Sequence, residues 1–312
     1  MATTSTAAAL RAAIDGLLRV LPAEQRAAVQ VPFGHAGRTR WDSGPRERTL
    51  GLRWDALAPA AQPLVEDVLA AVHSLHGLRC IWGIRSLEAI LGRLEGGRPH
   101  RQPGRYWVQV FGDPQDHAAG FRFEGHHCSV NATVVGDQVR ATPLFRATNP
   151  ARVPDHEVRP GWRVLAAEED AGRAWYAALG GEVRRQAMLP GEALLDTQTA
   201  CAETVAADAL GTAGLDAAGL PAAVRAHMVA ALRSWTGHLT DDLATGLIDR
   251  AGLADAAGLR ATWRGSAAVG APHSWSLAGG GLILEFAMGQ NAGNHIHAVL
   301  REAAGDFGRD LL

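Results

Sequence analysis

Three stretches, YWVQVFG (106–112), GFRFEGHHCSVNATVV (120–135) and QVRATPLF (138–145), alternate apolar and polar side chains between the turn residues Asp113-Pro114 and Gly136-Asp137. A period of two bounded by turn formers is the signature of paired strands, so this part of the chain reads as an antiparallel sheet. The last fifty residues repeat the pattern in LRATWRG (259–265), HSWSLAG (273–279), GLILEFAM (281–288) and NHIHAVLRE (294–302). Ahead of each block the period lengthens to that of a helix. Leu64, Val65, Val68, Leu69 and Val72 form one apolar face, and Leu87, Ile90, Leu91 and Leu94 form another, with Ser86 as its expected N-cap and Gly96-Gly97 as its stop. Helices are also expected over 165–178, 221–235 and 241–250, the last behind Thr240. Arg11, Asp15 and Arg19 interrupt the Ala-rich start at helical spacing, which reads as an amphipathic first helix and not as a signal peptide.

This order predicts an α+β protein in one domain, 1–312, built from two helix-then-antiparallel-sheet halves, 1–150 and 151–312. An alignment of Phe121–Gly125 with Trp275–Gly279 sets 128–133 over 282–287 and Asn131 opposite Glu285, so the halves are expected to be pseudo-symmetric.

The 312 residues carry a formal net charge of -2, with 47% hydrophobic and 20% charged side chains, and all 30 residues counted as Lys+Arg are arginine. Without lysine there is no Schiff base, no phosphate-loop lysine and no Ser–Lys nucleophile pair. Near-neutral charge without a basic stripe argues against nucleic acid as a partner. No apolar run approaches the ~18 residues of a membrane span. Cys80, Cys128 and Cys201 lack any C-x-x-C spacing, so reduced thiols and a cytoplasmic location are expected.

The chemistry concentrates in the strand-rich regions. On a strand His295 and His297 share one face, about 6.5–7 Å apart, an H-x-H geometry that can chelate one metal ion. Glu285, on the preceding strand, is the expected carboxylate ligand. His126 and His127 supply further imidazoles, of which strand alternation admits only one unless a bulge at Gly125 intervenes. Gln290, Asn291 and Asn294 crowd amides near the pair as substrate contacts, and Asn131, on the face of His127, is expected to contact substrate as well. Ser129 has no nucleophile elbow around it. Glu168-Glu169-Asp170 reads as charge at a helix start, Gly279–Gly281 as a tight turn, and His35, His73, His76, His100, His117, His156, His227 and His238 receive no role.

The segments FRFEGHHCSVNATVVGDQV, ATPLFRATNPA and WRVLAAEEDAGR, with the terminal HSWSLAGGGLILEFAMGQNAGNHIHAVLREAAGDFGRDLL, resemble an uncharacterised family described as domain of unknown function 3500. The resemblance spans nearly the whole chain and brings no mechanism. It implies that Glu124, His126, His127, Asn131, His273, Glu285, Gln290, Asn291, Asn294, His295, His297, Arg301, Asp306 and Gly308 belong to shared motifs. Ala287-Met288 stand where the family has Asp-Asn, and Arg301-Glu302 where it has Arg-Asp.

Together these features predict a metalloenzyme acting on a small polar substrate. One divalent transition metal, iron ahead of zinc, manganese or copper, would sit on His295, His297, Glu285 and a His of the GHH motif. An oxygen-dependent oxidoreductase is the first expectation, with Glu124, Arg301 and His273 as catalytic or orienting groups. A zinc hydrolase using Glu124 as general base is the second, and a non-catalytic metal- or small-molecule-binding protein the third. The oligomeric state is left open.

Overall fold

The computed structural model describes residues 5–312. The fold is α+β. Strands β1 (Gln30–Val31), β2 (Leu52–Arg53), β3 (Tyr106–Phe111), β4 (Ala118–Gly125), β5 (Cys128–Val135), β6 (Gln138–Arg140) and β7 (Leu144–Thr148) come from the first half of the chain. The second half supplies β8 (Leu215–Asp216), β9 (Arg260–Gly265), β10 (His273–Gly279), β11 (Leu282–Gln290) and β12 (His295–Glu302). All belong to one twelve-stranded sheet of order β1-β3-β4-β5-β7-β12-β11-β10-β9-β8, with β2 beside β3 and β6 beside β5. Two meanders, β3-β4-β5-β7 and β9-β10-β11-β12, run inward from opposite edges and meet at the antiparallel β7–β12 seam. β4 and β10 therefore hold equivalent places, as do β5 and β11, which is the correspondence given by aligning 121–125 with 275–279.

The helices are α1 (Thr6–Val20), α2 (Ala23–Val29), α3 (Gln62–Ala70), α4 (Leu75–Leu94), α5 (Ala166–Ala177), α6 (Gly181–Ala187), α7 (Ala222–Thr236) and α8 (Asp241–Arg250). None is long and apolar enough to cross a membrane, among the described residues. Helix α4 starts earlier than its apolar stripe indicates. Ser74, not Ser86, is its cap, accepting from the Gly77 N–H at 3.1 Å, while the Ser86 hydroxyl donates to the Trp82 carbonyl inside the helix.

One sheet face is apolar and packs on the helices. Phe121, Phe123, Val130 and Ala132 meet Leu10, Ile14, Val65 and Ile81 there, and Leu284, Phe286, Ile296 and Ala298 share the core with Trp175 and Trp235. The alternate residues of the same strands face two irregular segments, 32–50 and 189–210. A small core of Trp41, Phe145, Ala147, Val299 and Phe307 lies on that side.

Two buried arginines bind those segments down. Arg122 on β4 donates to the carbonyls of Gly37, Arg38 and Arg40 and to Asn131 Oδ1. Arg301 on β12 donates to the carbonyls of Thr199 and Ala202 and, through Nε, to Asp306 Oδ2 at 2.6 Å. Both Arg301 and Asp306 are fully buried, so removing the cation strands a charge in the interior. Arg301→Gln is expected to lower unfolding stability by about 3–5 kcal/mol, read as a drop in denaturant midpoint; a loss below ~1 kcal/mol would contradict the anchoring role.

Candidate metal centre

The β4–β5 connection is a two-residue turn made of His126 and His127. Gly125 precedes it because a Cβ there would lie 2.6 Å from Tyr106 Cδ1 and 2.7 Å from the Arg105 carbonyl. Strand alternation does not apply inside a turn, and no bulge is involved: the two rings stack at 3.6 Å. His127 adopts φ 66°, a left-handed conformation that costs a non-glycine residue about 1–2 kcal/mol. Its backbone is held on both sides, with its N–H donating to the Ser43 carbonyl at 2.9 Å and its carbonyl accepting from the Ala147 N–H at 2.8 Å.

Ala147 on β7 is also the cross-strand partner of His297 on β12. The register therefore places His127 and His297 on either side of one small side chain. His295, two residues earlier on β12, projects from the same face, and a register shift between Ala287 and Gln290 on β11 lies beside it. His295 Nε2 is 3.0 Å from His127 Nε2. The His297 ring centroid is 4.6 Å from that of His295 and 5.3 Å from that of His127. One nitrogen from each of the three rings lies within 4.8 Å of the other two.

The His297 tautomer follows from its neighbour. Nδ1 lies 2.7 Å from Asp196 Oδ1, a carboxylate that can only accept, so Nδ1 carries a proton and in the neutral ring the lone pair is on Nε2. That Nε2 is buried and has no hydrogen-bond partner. The carboxylate behind an imidazole is the usual support of a metal-binding histidine. Burial works against the Asp196 charge, but the bond from His297 together with those from the Thr197 N–H and hydroxyl outweighs it and holds the carboxyl below its ordinary value. Burial, reinforced by the neighbouring imidazoles, pushes His127 well below 6.5 and His295 down to about 3. Both are neutral bases at pH 7.

Other expected site residues stand elsewhere. His126 stacks on His127 but lies outside the three-histidine group: its Nδ1 bonds Glu88, and Arg101 Nη1 lies 2.9 Å from the same nitrogen. Glu88, His126 and His127 form a second close group, adjoining the first through His127. Glu285 faces the right side of the sheet one pair further along, opposite Val299, but outside the three-histidine group. Its oxygens are taken by the N–H groups of Gln198 and Thr199, at 2.7 and 3.0 Å, and by the Thr199 hydroxyl. The carboxylate beside the imidazoles is Asp196 instead. Glu124 pairs with Arg48 at 3.3 Å and accepts from the Asp42 N–H, Arg301 anchors 199–202, and Asn131 accepts from Arg122; all three hold loops. His273 is stacked between Trp263 and Phe286 on the helix face. The amides pin the β11–β12 connection: Gln290 donates to the Leu195 carbonyl, Asn291 to Asn149, and Asn294 accepts from the Arg152 N–H.

Sequence reasoning missed Asp196 and Ala147, and neither carries a local signal: Asp196 lies in an irregular segment and Ala147 is one alanine among many. A cavity of about 110 Å³ lies further along the sheet, with polar walls at Gln198, Thr262, Arg264 and Glu285 and apolar walls at Leu194, Trp275 and Phe286; none of the three histidines lines it, and it comes no nearer than Thr197 and Ala287, the neighbours of Asp196 and His297.

The chain belongs to the family described as Protein of unknown function (DUF3500), whose model matches residues 3–309. No curated protein and no solved structure matches it.

The depressed basicity of His295 has a consequence for stability. Between about pH 6.5 and pH 3 the folded residue stays neutral while the unfolded one takes a proton, so stability falls as the pH falls through that window. In chelator-treated protein, His295→Gln is expected to flatten this dependence by about one proton, measured by urea unfolding across the window; an unchanged slope would contradict the assignment.

Proposed function

We propose that the chain is a metal-dependent enzyme that holds one divalent transition-metal ion on His127, His295 and His297 and acts on a small polar substrate. The observation that carries the reading is the unpartnered, buried Nε2 of His297, whose tautomer Asp196 fixes toward two further neutral imidazoles. His295 Nε2 and His127 Nε2, 3.0 Å apart, can satisfy one another through a single hydrogen bond, but the pair offers nothing to His297 Nε2, which a shared cation would satisfy together with both. Tetrahedral coordination at about 2.0–2.1 Å asks the ring nitrogens to sit roughly 3.3–3.4 Å apart, a shift of a few tenths of an ångström for the closest pair.

Three neutral imidazoles without a carboxylate leave the full charge on an ion bound there, which suits Lewis-acid activation of a water molecule. The hydrolytic, zinc-dependent form is therefore better supported than iron-dependent oxidation, whose anionic ligand was to be Glu285; that carboxylate is engaged by residues 198–199. Asp196 orients His297 and, with its side chain 58% exposed, stands at the solvent edge. The substrate space we assign is the cavity that reaches Thr197 and Ala287, whose walls combine Arg264, Thr262 and Ser276 with Leu194, Trp275 and Phe286.

The test is elemental analysis of protein purified without a histidine tag. His297→Ala and His127→Ala are each expected to lose about one equivalent of zinc relative to wild type. Ala147→Leu, which leaves every ligand in place but fills the space between them, is expected to do the same. Metal content unchanged in all three variants would refute the site, and iron in place of zinc with substrate-dependent oxygen uptake would replace hydrolysis by oxidation.

A further inference from the structure

A second group of donors lies on the helix side of the sheet, among residues to which the sequence assigned no chemistry. His76 and Cys80 stand one turn apart on α4 and so share a face. Glu168 comes from the first turn of α5, and His238 from the connection that follows α7. One donor atom from each of the four lies within 4.8 Å of the others. Glu168 Oε1 is 2.6 Å from His76 Nε2 and 2.7 Å from His238 Nε2, and Cys80 Sγ is 3.8 Å from His76 Nε2. Cys80, Glu168 and His238 are buried.

We propose that His76, Cys80, Glu168 and His238 form a structural zinc site that clasps α4 of the first half to α5 and the end of α7 in the second. Thiolate, imidazole and carboxylate are the three zinc ligand types, and four protein ligands make a closed, structural set. The load on Glu168 is uneven: one oxygen faces two imidazoles, while the other is buried without a partner. A hydrogen-bond network leaves that oxygen unsatisfied, whereas a cation bound by both oxygens satisfies it. The frame is built independently of the ion. The Ser74 N–H donates to the His238 carbonyl at 3.0 Å, the Ser74 hydroxyl donates to the Gly237 carbonyl at 2.6 Å, and Gly77 admits that approach because a Cβ would lie 2.0 Å from the His238 carbonyl oxygen. Entry runs past His76, whose side chain is 43% exposed. Binding removes the proton of the Cys80 thiol and that of His76, whose bonds to Cys80 and Glu168 raise its pKa to about 10, and releases both to solvent with no change of redox state.

The site is independent of the three-histidine centre, which contains no cysteine, and cobalt substitution separates the two. Cobalt-loaded wild-type protein is expected to show a near-ultraviolet thiolate-to-metal charge-transfer band that persists in His297→Ala, Cys128→Ser and Cys201→Ser. Cys80→Ser is expected to abolish the band and to lose about one equivalent of zinc. Should Cys80→Ser fail to fold, the wild-type spectrum decides alone. Cobalt uptake without a thiolate band, or a band that survives Cys80→Ser, would overturn the proposal and leave a hydrogen-bonded cluster only.

Discussion

The hydrogen bond from the Ala147 N–H to the His127 carbonyl, together with the pairing of Ala147 and His297, is the constraint on which the three-histidine centre rests. It joins β5 to β12 through β7 and so joins the two meanders at the middle of the sheet. Because side chains alternate along a strand, this register puts His127, Ala147, His295 and His297 on the face away from the helices. A slip of one residue would send the β12 histidines into the helix-facing core. The small Ala147 side chain leaves the space between the imidazoles open, and the left-handed turn aims His127 into it. Strain of that kind persists where the surroundings over-determine it, as the bonds to Ser43 and Ala147 do here.

The absence of lysine acquires a structural meaning beside this frame. The face carrying the histidines is covered by chain without regular structure, whose carbonyls need donors. Arginine meets that need with a rigid fan of five N–H groups that one ammonium cannot imitate. Arg122 reaches three carbonyls of 37–40 and Arg301 reaches two of 199–202; away from this face, Arg11 on α1 gathers those of Pro114, Asp116, His117 and Gly136 in the hairpin turns. The arginines are thus fasteners for loops, and the bases nearest the proposed chemistry are imidazoles.

Much of the fold was legible because periodicity is local. The strands over 106–148 and 259–302, helices α5, α7 and α8, and the shared face of His295 and His297 all follow from spacing alone. The errors fall where tertiary pairing decides. His126 and His127 form a turn, so the rule that neighbouring strand residues face opposite ways misjudged them. Glu285 lies on the expected face, but its carboxylate answers the N–H groups of 198–199, a segment with no periodic signal. Asp196 became a partner only through the path of that same segment. His76 received no role and Cys80 only that of a reduced thiol, Glu168 fits a helix start, and His238 is distant in sequence; only packing of α4 against α5 and α7 unites them.

The central claim is that His127, His295 and His297 share one metal ion across the seam. Its most direct measurement is an anomalous-difference map from crystals of tag-free protein, recorded on both sides of the zinc absorption edge. The account predicts a peak within ~2.0–2.3 Å of a ring nitrogen from each of the three histidines, with Asp196 still on His297 Nδ1. Crystals soaked with zinc that show no such peak, with His295 and His127 joined by a direct hydrogen bond, would contradict it.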